Sequence, residues 1–289
     1  MLDLHLHVWP HRPGTPAPTV ELLERYCEQA ASLGIDQIAI TEHSHRFGRI
    51  LDDVIPKWER PLTGPVADAT AHVLSVEGPA DLDAYVAALQ AGQDAGLPIL
   101  IGMEVDYLPG AMNAMARVLD DYPFDVLLGS VHWLDDWLFD AYDNETFAQP
   151  WSDRDIDLVF AQYVDSVIDL ARSGIVDVLA HLDLIKVAGH RAQRLDEHEA
   201  RLVEGVAGTD VVIEFSSAGF RKPVNETYPS APLLDALLAA GMDLTTASDG
   251  HAMEQIGAGF DRLGTALDER GITELTTFDR RRRVAYHRN

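Results

Sequence analysis

The sequence predicts an α/β fold, a β/α barrel of about seven parallel strands whose working residues sit at the C-terminal ends of the strands. Two patterns lead there. Short apolar runs alternate with segments of helical periodicity, the order that parallel strands joined by right-handed crossovers require. Nearly every apolar run then ends in a histidine or a carboxylate. No repeat, low-complexity tract or linker divides residues 1–289, so the chain reads as a single domain.

The elements follow in order. In Asp3-Leu4-His5-Leu6-His7 alternation puts both imidazoles on one face of a strand and the leucines on the other. A proline-rich loop, residues 11–18, leads to Thr19, which caps a helix over 20–33 closed by Gly34. Strand 37–41 delivers Glu42 and His43. Residues 44–80 show no clean period and hold Gly48, Pro56, Pro61, Gly64, Pro65, Gly78 and Pro79, so they are expected to form a lid or insert over the site. Asp81 caps helix 82–95, and strand 99–103 delivers Glu104, with Asp106 and Tyr107 beyond. Helix 111–121 and strand 125–131 end on His132; a long segment, 133–153, precedes helix 154–172; strand 176–180 ends on His181. Helix 196–207, strand 211–215 and a polar loop follow. Ser230 caps helix 231–240, strand 243–247 ends in Ser248-Asp249-Gly250-His251, and a helix over 253–269 and an arginine-rich segment close the chain.

Composition narrows the function. A formal charge of −25 repels phosphate backbones, which argues against a general nucleic-acid binder. The single cysteine, Cys27, allows no internal disulfide and no CxxC knuckle, so any metal must be held by nitrogen and oxygen. With no apolar run of membrane length, and a first strand beginning at Leu2, the expectation is a cytoplasmic protein with no membrane partner. Oligomeric state is left open.

His5, His7, His43, Glu104, His132, His181, Asp249 and His251 therefore lie at strand ends, which a barrel brings to one face. That is more than one tetrahedral ion needs, and implies two or three divalent ions, zinc, manganese or iron by donor type. Glu104 is the natural bridge, since a carboxylate can span two cations and an imidazole cannot. Clustered ions suit hydrolysis of a phosphate ester or an amide. His72, His190, His198 and His287 lie off the strand ends and are read as structural; His11 and His45 are intermediate.

The HxH pair, Thr41-Glu42-His43, Gly102-Met103-Glu104-Val105-Asp106-Tyr107, Ser130-Val131-His132, Ala180-His181, residues 216–222 and Ser248-Asp249-Gly250-His251 together resemble the PHP phosphoesterases, and within them the monofunctional histidinol phosphatases. The resemblance implies a distorted seven-stranded barrel with three clustered metals. By it His5, His7, Glu104 and Asp249 would hold one ion, and Glu104, His132 and His181 a second. His43 and His251 would hold a third, with a histidine the family places six residues after the HxH pair; here His11 follows by four, and His45 is another candidate.

The implied reaction is attack on a phosphomonoester by a metal-activated hydroxide. Arg221 and Lys222 would bind the phosphate, Asp249 or a metal-bound water would protonate the leaving alkoxide, and Asp249, Arg221 and His251 are the candidate catalytic residues. Glu42, Asp106 and Tyr107 are candidates to receive the cationic groups of histidinol. The rival readings are a PHP phosphoesterase acting on nucleotides or another small ester, a metal-dependent amidohydrolase, and a non-catalytic metal-binding module. Against the amidohydrolase, the mid-barrel position where that family carries a modified lysine holds Glu104 here.

Overall fold

Seven parallel strands curl into a nearly closed barrel in a computed structural model that describes residues 1–9 and 16–288. In chain order the elements are β1 (Leu2–Leu6), α1 (Val20–Ser32), β2 (Gln37–Ile40), α2 (Gly48–Asp53), α3 (Pro65–Glu77), α4 (Leu82–Asp94), β3 (Ile99–Asp106), α5 (Met112–Leu119) and β4 (Val126–Ser130). They continue with β5 (Trp133–Leu134), β6 (Trp137–Leu138), α6 (Glu145–Asp153), α7 (Ile156–Arg172), β7 (Val178–Leu179), α8 (Leu195–Val206), β8 (Val212–Ser216), α9 (Ala231–Ala239), β9 (Leu244–Ala247), α10 (Phe260–Glu269), β10 (Glu274–Asp279) and β11 (Arg282–His287).

The barrel order is β1-β2-β3-β4-β7-β8-β9. A parallel bridge from Leu6 to Gly250 and the bond from His7 N to Gly250 O, 2.8 Å, draw the last strand back against the first. That near-closure sets Asp249 beside the HxH strand. Caps act where the sequence places them: Thr19, Asp81 and Ser230 accept from the N–H groups of Leu22, Ala84 and Leu233.

Four stretches depart from the sequence expectation. Residues 44–80 are not an irregular lid but a set of short helices, with Phe47, Ile50, Val54, Trp58 and Leu74 buried. As far as Gly64 proline and glycine cut the stretch into short helical pieces, while in the 13-residue α3 alanines and valines lie all round the helix and blur the period. Strand β3 runs on to Asp106, so Gly102, Glu104 and Asp106 share one face. The helix expected over 253–269 is broken by left-handed Gly257 and Gly259, leaving α10 from Phe260. The arginine-rich end forms an antiparallel hairpin, β10 with β11, turning through Arg280 and Arg281. No helix among the described residues is long and apolar enough to cross a membrane.

Candidate metal centre

Glu104 lies buried at the centre of the C-terminal face, its two carboxylate oxygens facing different histidines. Oε2 is 3.4 Å from His5 Nε2, 3.5 Å from His7 Nε2 and 2.6 Å from His43 Nδ1. Oε1 is 3.3 Å from His132 Nε2 and 2.9 Å from His181 Nε2, and accepts from Ser130 Oγ at 2.6 Å. Asp249 Oδ1 closes the first group, 3.7 Å from His5 Nε2 and 3.5 Å from His7 Nε2. Donor atoms around a tetrahedral ion with bonds of roughly 2.0–2.1 Å stand roughly 3.3–3.4 Å apart. Several of these separations match that edge rather than a hydrogen bond.

The unpaired atoms make the same point. His5 Nε2, His7 Nε2 and Glu104 Oε2 are buried without a hydrogen bond and converge on one another, a costly arrangement that a cation would relieve. His5, His7 and Asp249 form one group with donor atoms within 4.8 Å, as do His5, Glu104 and His181. A further group joins His7, His43 and His251, with His43 Nε2 and His251 Nε2 3.4 Å apart. The residues thus fit divalent ions by nitrogen and oxygen donation.

Carboxylates behind the histidines fix which nitrogen faces inward. Glu214 Oε2, on β8, is 2.7 Å from His5 Nδ1, and its Oε1 accepts from His181 N at 3.1 Å. Asp106 Oδ1 is 2.8 Å from His132 Nδ1. With the proton held on Nδ1, each Nε2 presents its lone pair to the cluster. Asp3, two residues before His5, accepts from Ser248 N, Ser248 Oγ and Gly257 N, and so ties down the turn that carries Asp249 in a left-handed conformation, φ 50°. Sequence reasoning missed Glu214 and Asp3; the alternation that paired His5 with His7 could have found Asp3.

Electrostatics follow from this crowding. Burial alone would raise the Glu104 carboxyl, but His43, His5 and His132 hold it well below the usual range. Against the burial penalty, Glu214, Glu104 and Asp249 push His5 well above an ordinary histidine. Burial pushes Asp3 up to about 7 despite its donors.

The expected substrate residues fare differently. Glu42 is fully buried, accepting from Val8 N, Trp9 N and Arg46 Nη1. Asp106 is fully buried and engaged by Ser44, His45 and His132. Tyr107 turns outward, its hydroxyl donating to Asp169 on α7. None of the three opens onto the cavity, so they are corrected from substrate contacts to supports. Arg221 Nη2 donates to Ser248 O and Asp249 O at 2.6 and 2.9 Å, while Lys222 lines the cavity over the metal cluster. His45 points away from the cluster toward Asp106 and Glu77. His11 lies outside the described residues.

That cavity, about 70 Å³, is lined by the clustered ligands His43, Glu104, His132, His181, Asp249 and His251, taken as its floor, and by the non-ligating residues Asp140, Leu184, Val187, Tyr228 and the exposed Lys222, taken as its mouth. A larger cavity of about 510 Å³ lies among α7, α8 and α9 and contains none of the clustered ligands.

A β/α barrel carrying a carboxylate-centred histidine cluster on its C-terminal face defines a metal-dependent hydrolase scaffold. The chain belongs to the PHP domain family, whose model matches residues 14–218. His5, His7, Asp249 and His251 fall outside that span and are joined to it by the barrel's near-closure. The chain is 31% identical over 268 residues to "Probable histidinol-phosphatase" of Deinococcus radiodurans, covering 90% of each chain. It is 22% identical to the histidinol-phosphatase of Lactococcus lactis over 284 residues, 96% of this chain and 94% of the other. Its fold is that of the Lactococcus lactis histidinol phosphate phosphatase crystallised with zinc, L-histidinol and phosphate: TM-score 0.66, 19% identity, 98% of both chains covered.

Proposed function

We propose that this protein is a histidinol-phosphatase, hydrolysing L-histidinol phosphate to L-histidinol and phosphate. The observation that carries the reading is the division of Glu104, with one oxygen turned to His5, His7 and His43 and the other to His132 and His181. This geometry supports two divalent ions bridged by one carboxylate, and the full-length relatives carry the substrate assignment.

In this reading His5, His7, Asp249 and Glu104 hold one ion, and Glu104, His132 and His181 the other. His43 and His251 offer a seat for a third. Zinc suits the donor set, and manganese or iron are compatible with it. Bound there, such ions supply Lewis-acid charge and lower the pKa of water. The protein's own part is positional. Glu214 and Asp106 lock the rings of His5 and His132; Asp3 and Arg221 hold the Asp249 turn from two sides; Lys222 brings a positive charge to the phosphate on an otherwise acidic protein. The Asp249 carboxylate, held low in pKa against its burial by His5 and its neighbours, is ionised at neutral pH. An ionised Asp249 holds no proton to give, so the leaving alkoxide takes up the proton that the attacking water releases, with the Asp249 carboxylate as acceptor and donor between them. The 44–80 segment serves as a fixed wall, since Trp58 packs on Trp133 and Trp133 on His45 and His132.

The test is phosphate release by metal-loaded protein from L-histidinol phosphate, nucleotides and sugar phosphates. The expected result is a kcat/KM for L-histidinol phosphate at least tenfold above the others, roughly one good polar contact. Equal values would remove the substrate assignment, and metal retention without release from any ester would leave only a binding module.

A further inference from the structure

At the mouth of the metal cavity stands a carboxylate with an oxygen that no donor meets. Asp140 follows the small β5–β6 hairpin, and its Oδ1 is buried without a hydrogen bond. It makes no ion pair among the described residues, and it takes no part in the metal-ligating groups. Its backbone is firmly placed, since the preceding Phe139 is fully buried against Trp137, Trp151 and Tyr163. A carboxylate oxygen held out of water with no donor is unfavourable unless a ligand supplies one.

The surroundings say what kind of donor. Lys222 is the lysine among the lining residues and offers its charge to a phosphate entering the cavity. Leu184 and Val187 give an apolar wall suited to a flat ring. Tyr228 Oη, also without a hydrogen bond, faces the same space. The enclosed volume of about 70 Å³ holds only a few water-sized groups, too few for a whole ester, so the alcohol of a phosphoryl group seated on the ligands reaches toward the non-ligating lining residues, Asp140 among them.

We infer that Asp140 is the specificity-determining residue of this site, receiving the ammonium group of the leaving alcohol, so that the enzyme selects phosphomonoesters of amino alcohols. The inference rests on the phosphatase reading above and supplies the recognition that Glu42, Asp106 and Tyr107, all turned elsewhere, do not.

The experiment compares L-histidinol phosphate with 3-(imidazol-4-yl)propyl phosphate, the same ester without its amine, and with phenyl phosphate, on zinc-loaded wild type, Asp140→Asn and Asp140→Glu. The wild type is expected to favour the amine-bearing ester by about 10- to 100-fold in kcat/KM, the range of a charge-assisted hydrogen bond. In Asp140→Asn that preference collapses, through KM, while phenyl phosphate turnover, zinc content and melting temperature stay as in the wild type. Asp140→Glu restores part of it. A wild type that does not distinguish the two imidazole esters removes the amino-alcohol substrate itself, whatever Asp140 does. A wild type that does, with an Asp140→Asn variant that keeps the preference or loses all three substrates equally, overturns the role of Asp140 alone.

Discussion

At the floor of the site cavity the rings of His5 and His132 each have a carboxylate behind them, Glu214 and Asp106, at 2.7 and 2.8 Å. At its mouth Asp140 Oδ1 and Tyr228 Oη have no hydrogen bond at all. The floor is built from strand ends, and the outer sides of its His5 and His132 rings are finished by the fold while its inward atoms are left to a cation; the mouth is built from loops and is finished by what else binds. Pre-organisation at the floor serves metal affinity and rate, because ligands already aimed need no reordering. Unmet polar groups at the mouth serve selection, because a substrate lacking the matching group leaves them unpaired.

The sharpest way to break this contrast is to cut the floor at its centre. Glu104→Gln removes the bridging charge, and phosphate release should fall about 1000-fold or more, as for loss of a dominant electrostatic stabiliser. Metal content by elemental analysis should drop with it, and a chelator should abolish wild-type turnover until zinc or manganese is returned. Activity within tenfold of wild type in the variant would end the bridging role. One layer back, Glu214→Gln should weaken zinc binding by about 10- to 100-fold while a zinc-saturated sample recovers most of its rate. Full zinc affinity in that variant would mean that His5 needs no partner to hold its tautomer.

The same contrast explains what could be read from the chain. Seven strands, their order along the sequence and the convergence of eight candidate ligands were legible because six of the seven strands carry such a residue at or near the C-terminal end, and a barrel turns that one-dimensional pattern into a cluster. The supports were harder. Glu214 sits inside a strand, where nothing in its neighbours Ile213 and Phe215 hints that it faces His5 across the barrel. Glu42, Asp106 and Tyr107 looked available to a substrate because they adjoin ligands in sequence, yet burial assigned the two carboxylates to histidine and backbone donors. Asp140 carried no signal, since a loop aspartate after Phe139 is ordinary until a cavity is found beside it.

Arg221 and Lys222, neighbours in sequence, test where the floor stops and the mouth begins. Arg221 spends its Nη2 on the carbonyls of Ser248 and Asp249, so Arg221→Ala should loosen that turn and lower both zinc retention and kcat, the latter by about tenfold. Lys222→Ala should leave zinc in place and raise KM for every phosphomonoester by about tenfold. Steady-state kinetics with metal analysis on both variants separates the two; identical profiles would mean that they act as one phosphate clamp.

The smallest expected effect on turnover lies behind the floor, at His45. Burial disfavours its charge, but Asp106 and Glu77 more than compensate and raise its pKa from 6.5 to about 9. A group whose pKa is raised on folding binds its proton more tightly in the native state. Its contribution to stability is therefore complete below pH 6.5 and is lost as pH climbs through 9. The shift corresponds to a contribution on the order of 3 kcal/mol. Urea unfolding of wild type and His45→Gln at pH 6 and above pH 9 should show the wild type losing more stability than the variant over that interval, with phosphate release at neutral pH changed only a few-fold. Because metal saturation is held the same in both proteins, proton competition at the ligands cancels in the difference. Parallel stability curves would mean that His45 is neutral in the fold and that Asp106 serves His132 alone.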